Sequence, residues 1–466
     1  MLGVFVVIYL VLTVAIGIAA SRYIKTSTDF MLAGRKLPMF LSASALFALW
    51  FGSETIFGAS SEFVKHGVLG VIEDPFGGVL CLVLFALIFA KPLYRLNLLT
   101  LGDLYRNHYG KSVELIASFC MLLTFFGYIA AQLVALGILI QIISGLPTIY
   151  GILISASVVT IYTLMGGMWA ITITDFLQSI IIVVGLVIVA VTIVNKAGGM
   201  APVLDGAPEG FFSFVPTDGD PMTWIHYLAA WLTLGLGSLA SQDIFQRANS
   251  AESEKTAVRS TLLGAGMYGL IAILPLFIGL AGKVLYPELI DGDTQQVLPS
   301  MVMAHTNLWV QVMFFGALLS AIFSTCSGAV LAPASILSEN IIRPLVDQNM
   351  SDKRFLVILR VSVVGMAALA AWLAAFRTNI YELVSESSIL GLVTLFVPMV
   401  TALFWKKSSQ GGAILSMVVG LISWFLSEHV FHFEFPAMFI GFGASAAAMV
   451  VGTGLFPRKP PISANR

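Results

Sequence analysis

What this sequence has least of is charge. Asp, Glu, Lys and Arg make up 11% of its 466 residues, where soluble domains carry about 25%. With 58% apolar residues and a mean hydropathy of +0.95, too little polar material is left to cover a soluble fold, so the chain reads as an all-α polytopic membrane protein. Its net charge of −1 lacks the basic footprint of a nucleic-acid binder. Cysteine is nearly absent. Cys81, Cys120 and Cys326 all lie in apolar segments, fit no metal spacing and read as core filler. Hydrolytic motifs are missing too: there is no HExxH, no GxSxG and no paired Asp-rich motif. YGKS at 109–112 lacks the upstream glycine of a phosphate loop, and no enzyme is expected. The N-terminus has no basic region, and Arg22 and Lys25 follow its apolar run, so 3–21 reads as a retained span rather than a cleaved signal.

What the chain has in abundance is apolar blocks of about 20 residues, the length that crosses a bilayer. They lie near 3–21, 37–61, 68–90, 113–143, 147–165, 171–195, 223–245, 258–286, 307–340, 355–376, 380–404, 411–428 and 434–455, which makes about 13 spans. With the N-terminus outside, the inner loops take 20 of the 24 Lys and Arg, Arg247 among them, and the outer side takes only Lys65, Lys196, Lys283 and Arg377. That is a strong positive-inside bias, and it places the short tail inside. The longer outer loops are 196–222 and the region around 283–306. NMS at 349–351 matches a glycosylation sequon but falls on the inner side.

Polar groups at membrane depth carry the functional information, because burying them without partners costs several kcal/mol. ALWFGSETIFGAS, 48–60, gathers Trp50, Gly52, Ser53, Glu54 and Thr55 in two turns. Glycine and serine there weaken the helix ladder and release carbonyls, which are good ligands for a hard cation. Small-residue packing would explain Gly52 and Ser53, but not Glu54. VIEDPFGG brings Glu73 and Asp74 before Pro75, which reads equally as a helix start. After the Gly166–Gly167 turn, Asp175 and Gln178 share a helix face. TLGLGSLASQDIFQRANS, 233–250, interrupts another span at Gly235, Gly237 and Ser238. Interruptions in the second and seventh spans are the mark of an inverted five-helix repeat. SAIFSTCSGAV, 320–330, stacks Ser320, Ser324, Thr325 and Ser327; hydroxyls of this kind ordinarily bond back to their own helix.

YTLMGGMWAITITDFLQ, DIFQRANSAESEKTA and SAIFSTCSGAV, in this order and spacing, resemble the sodium/solute symporter family, across nearly the whole chain. FAKPLYRLNLLTLGDLYRNHYGK and the tryptophan of ALWFG look most like its high-affinity choline branch. The resemblance implies a leucine-transporter-type five-plus-five inverted repeat with one extra N-terminal helix. Within a single transmembrane domain of 1–466, 1–22 would be the extra helix, 37–195 the first repeat and 223–404 the second. Two C-terminal helices and a short cytoplasmic tail would fill 405–466. It implies Na+ as coupling ion, a shared sodium site at Ala48, Phe51, Ala321, Ser324 and Thr325, and a possible second sodium at Asp175 and Ser327. There the next expected serine is Gly328.

Solute contacts carried over from the family fall on Trp50, Glu54, Thr55, Asp74, Gly77, Tyr128, Ser241 and Glu386. Ser241 and Val384 stand where the choline branch has aromatics, so a full quaternary-ammonium cage is not expected. Trp50 beside Glu54, Glu73 and Asp74 favours a small amine-bearing or zwitterionic solute. The expected protein is a sodium-coupled importer in the plasma (inner) membrane, its partners a small solute and the lipid bilayer, with no nucleic acid and no obligatory protein partner. Proton coupling through Asp175 or Glu54 is the alternative, followed by a channel or a sensor.

Overall fold

Among the described residues of the computed structural model, ten helical runs are long and apolar enough to cross a membrane. The structure describes residues 2–217, 219–287, 297–376 and 379–458. Arg377, Lys459 and Arg466 of the charge count, and part of the loop around 283–306, lie outside them. Among the described residues the regular elements are helical, with an isolated bridge joining Leu37 to Ala251.

The difference from the thirteen apolar blocks has three local causes. The blocks at 147–165 and 171–195 form one helical stretch, Thr148–Lys196, turned at Gly167 (φ 47°, ψ −142°). The 37–61 block stops as a helix at Trp50 and resumes within the long run Glu54–Arg95. The 223–245 block is helical over Pro221–Gly237, 17 residues, and again over Gln242–Asn249. Helix breaks, rather than missing segments, separate the two descriptions.

Gly167 is required on two counts: its φ is positive, and a Cβ there would lie 2.6 Å from the Phe30 carbonyl oxygen. Gly167→Ala is expected to cost about 1–3 kcal/mol of stability, read as a lowered melting temperature of the purified protein. An unchanged melting temperature would show that the turn is not constrained.

The Leu308–Ile336 helix is the centre of the molecule. Its most apolar stretch is wholly buried, packed against Thr148–Lys196, Lys111–Ser144 and Asp352–Ala374. Leu2–Ala20 is peripheral, lies along Thr148–Lys196 and exposes Val4, Val7, Ile8 and Val11, as a lipid-facing helix does. The last two helices, Gln410–His429 and Ala437–Leu455, pack chiefly on each other. This arrangement leaves Met39–Trp50 and Gln242–Asn249 beside the central helix, so both broken segments meet it.

Candidate cation and solute site

The Met39–Trp50 helix ends where Phe51 leaves helical geometry (φ −86°, ψ 68°). Phe51 and Gly52 form a bend, and from Ser53 the chain rewinds into a wide π-helical turn over Glu54–Ala59, a form that concentrates at functional sites. Gly52 allows Glu54 to fold back, since a Cβ there would sit 2.7 Å from Glu54 Oε2. A helix end leaves its last carbonyls without intrahelical partners, and here side-chain hydroxyls supply them. Thr325 Oγ1 donates to the Ala48 oxygen at 2.9 Å, Tyr128 OH to Leu49 at 3.1 Å and Thr55 Oγ1 to Trp50 at 3.3 Å.

Ala48, Ala321 and Thr325 are thus brought together, for Thr325 Oγ1 also lies 3.2 Å from the Ala321 oxygen. Ser324, one residue earlier, donates its hydroxyl to Asp175 Oδ1. Phe51 sits at the break itself. Carbonyls and alcohols at one point, with a carboxylate one hydroxyl away, are the all-oxygen donor set a hard cation takes.

The residues assigned to a second sodium are engaged otherwise. Ser327 Oγ bonds back to the Ser324 oxygen at 2.8 Å. Asp175 Oδ2 is paired with Arg247 Nη2 at 3.5 Å, both side chains buried. Arg247, counted from the sequence among inner-loop charges, is in fact 1% exposed. Gly328 explains how it fits: a Cβ at that position would collide with the guanidinium. The glycine where a serine was expected was the available signal, and it marks the space the arginine takes.

Four of the expected solute contacts, Trp50, Glu54, Tyr128 and Ser241, line one cavity of about 60 Å³ between the two broken segments. Glu54 is buried and held by Gln132 Nε2 at 2.8 Å, with Tyr128 OH 3.5 Å from its other oxygen. Gln132 also accepts the Ser53 N–H at 3.0 Å, so one side chain fixes both the bend and the acid. Across the cavity the second break is a 3₁₀ turn, Ser238–Ala240, then Ser241 in extended geometry (φ −90°, ψ 135°). Asp243 follows, and it lines the cavity with Ser387 and Ser388. Among the described residues lining it there is no lysine, arginine or histidine.

Thr55, Asp74, Gly77 and Glu386 are not on this cavity wall. Thr55 Oγ1 and Asp74 Oδ2 are 2.9 Å apart, and both bond the Tyr268 hydroxyl in a closed buried triad. Gly77 packs near the Trp231 carbonyl, and Glu386 is half-buried on Ile380–Gly391. The sequence reading did not single out Gln132, Arg247, Asp243 or Tyr268. Gln132 was detectable as an amide at buried depth in an apolar span; Tyr268, an aromatic among aromatics, carried no signal.

A family model described as the sodium:solute symporter family matches residues 30–420. Similar proteins include the high-affinity choline transporter 1 of Drosophila melanogaster, 26% identical over 432 residues, 89% of this chain and 69% of the relative. The high-affinity proline transporter PutP of Bacillus subtilis is 28% identical over 435 residues, 87% of each chain. Among solved structures, a Na+-coupled sialic acid symporter in a substrate-bound outward-open state matches with a TM-score of 0.84 at 20% identity, covering 98% of this chain and 99% of that one. MhsT in complex with L-phenylalanine matches with a TM-score of 0.60 at 14% identity, covering 89% and 98%. The fold is shared with these transporters.

Proposed function

This chain belongs to the sodium:solute symporter family, and we propose that it imports a small amine-bearing or zwitterionic solute by alternating access, with one sodium ion per cycle. It is a multi-pass membrane transporter rather than an enzyme, and sodium is its coupling ion. The observation that carries the mechanism is the 2.9 Å bond from Thr325 Oγ1 to the Ala48 carbonyl at the helix break. It marks where an ion would bridge the broken helix to the central one, with Phe51 and Ser324 completing the donor set.

Thr325 has a second acceptor in the Ala321 oxygen, 3.2 Å away. Turning the hydroxyl proton to Ala321 frees both the Ala48 oxygen and a hydroxyl lone pair for the ion. Ser324 already points its proton at Asp175, so its lone pairs are free too, and the carboxylate's charge acts on the ion through one hydroxyl. Arg247 holds the other Asp175 oxygen, and this supports a single sodium. Sodium organising the break would raise solute affinity, and by linkage the solute would raise sodium affinity. Each charge moving inward gains about 2.3 kcal/mol per 100 mV, so one ion suffices to drive accumulation.

Glu54, Trp50 and the absence of a basic residue on the described cavity wall support a solute with a positive group. The choline and proline transporters among the relatives are in keeping with that. The two breaks, near 51–53 and 238–241, fall at matching places in 37–195 and 223–404, which supports thirteen spans and a five-plus-five repeat. The charge bias supports an outside N-terminus, a cytoplasmic C-terminus and the plasma membrane.

The test is uptake into proteoliposomes of labelled amines, amino acids, sugars and organic acids, with the sodium ratio taken from the reversal potential. Sodium-driven uptake of an amine or zwitterion at a ratio of one is expected. Transport only of a dicarboxylate or a sugar would defeat the solute class, and a ratio of two would defeat the single-ion reading.

A further inference from the structure

Asp243 is the acid the solute reading did not anticipate. It lies just after the second helix break, is buried at 4% exposure, and lines the same cavity as Glu54. Its Oδ1 accepts both the Ser241 hydroxyl at 2.5 Å and the Ile244 N–H at 2.8 Å. With both bonds on one oxygen, the orientation of the carboxylate is fixed. Arg247 stands one turn further along the same helix but is bonded to Asp175. Glu54 is held in turn by Gln132 Nε2. Two oriented carboxylates from two different broken helices therefore share one small cavity.

The rest of the wall shows what else the solute must carry. Trp50 lines the cavity, and its indole N–H is buried with no partner among the described residues. A buried donor of this kind is satisfied by an oxygen acceptor. With no basic residue on the described wall, a neutral oxygen suits it better than a carboxylate. Ser238, Ser241, Ser387 and Ser388 also line the cavity, beside the aromatics Trp50, Phe125 and Tyr128, so oxygen acceptors outnumber ring faces. Carboxylate and hydroxyl oxygens accept N–H donors, whereas a quaternary ammonium has none to offer and is held by ring faces instead.

We infer that Asp243 is a specificity-determining residue and that the cavity takes a small cation bearing N–H donors together with a neutral oxygen acceptor, the amino-alcohol class, in preference to a quaternary amine. The inference rests on the amine reading of the same cavity and narrows it. Glu54 and Asp243 accept the ammonium hydrogens from opposite sides, and the Trp50 N–H binds the solute oxygen.

A methylation ladder tests this on the purified full-length protein. Ethanolamine, its N-methyl and N,N-dimethyl derivatives and choline keep the hydroxyl and remove one N–H at a time. Affinity is read as thermal stabilisation in sodium buffer. It should fall at each step, with ethanolamine ahead of choline by about tenfold or more. Asp243→Asn should lose about tenfold in ethanolamine affinity and flatten the ladder, while sodium alone still stabilises the variant and so reports an intact fold. Asp243→Glu should recover part of the loss.

Choline binding as tightly as ethanolamine, or an unchanged ladder in Asp243→Asn, would overturn the inference and leave the amine reading standing. If no amine binds while sodium still stabilises the protein, the amine reading itself fails, and this inference with it.

Discussion

Thr325→Ala will raise the sodium concentration needed for half-maximal stabilisation and uptake by about tenfold or more, the effect of removing a polar ligand worth roughly 1.5–3 kcal/mol to a charge. The protein should still insert and fold. The lost hydroxyl has the Ala48 and Ala321 oxygens as its acceptors, and the surrounding helix is unbroken, with its most apolar stretch wholly buried. Thr325→Ser keeps the hydroxyl and should remain near the parent value. The pair separates a ligand role from a packing role, because a methyl group that merely filled space would be missed in both variants. Sodium titration of the melting temperature needs no knowledge of the solute, and an unchanged titration in Thr325→Ala would remove this residue from the ion site.

The second large effect lies at the buried ion pair. Arg247→Met strands the Asp175 carboxylate among helices, and Asp175→Asn strands the guanidinium. Leaving one member of a buried pair unpaired costs about 3–5 kcal/mol. Each single variant should therefore show a steep loss of folded protein. The double variant Asp175→Asn with Arg247→Met should regain much of the stability, since no uncompensated charge remains. Melting temperatures of the four proteins give the coupling directly, and additive losses would show that the 3.5 Å contact carries no weight. The double variant should still be impaired in sodium affinity, because Ser324 would have lost the charge of its carboxylate acceptor.

The two breaks were legible in the sequence, because small-residue packing does not explain Glu54 beside Gly52 and Ser53, and Gly237 and Ser238 repeat the interruption in a second span. The hydroxyls of 320–327 were legible as a stack along one span. What could not be read was which neighbour each polar group would find. A helical period fixes the face a residue occupies on its own helix, but not the helix that packs there. Thr55 and Asp74 share the region of Trp50 and Glu54 in sequence, yet Tyr268, some two hundred residues away, draws them into a separate triad. Arg247 looked like a loop charge because an arginine inside a bilayer is normally excluded. Only the space left by Gly328 and the carboxylate of Asp175 make its burial tolerable. Asp243 lies in the 233–250 stretch, where the family resemblance implies a solute contact at Ser241 and none at the acid two residues on.

Two hydroxyls, on Thr325 and Tyr128, cap two successive carbonyls at the first break. A carrier must swing back unloaded after delivering its cargo, and at that moment any oxygen that had gripped an ion is a liability. Here the Ala48 oxygen, one of the proposed ion ligands, has the Thr325 proton beside it to take the ion's place. On the proposed cycle, the reset would leave that acceptor satisfied, and losing the ion would not require the kink to unravel.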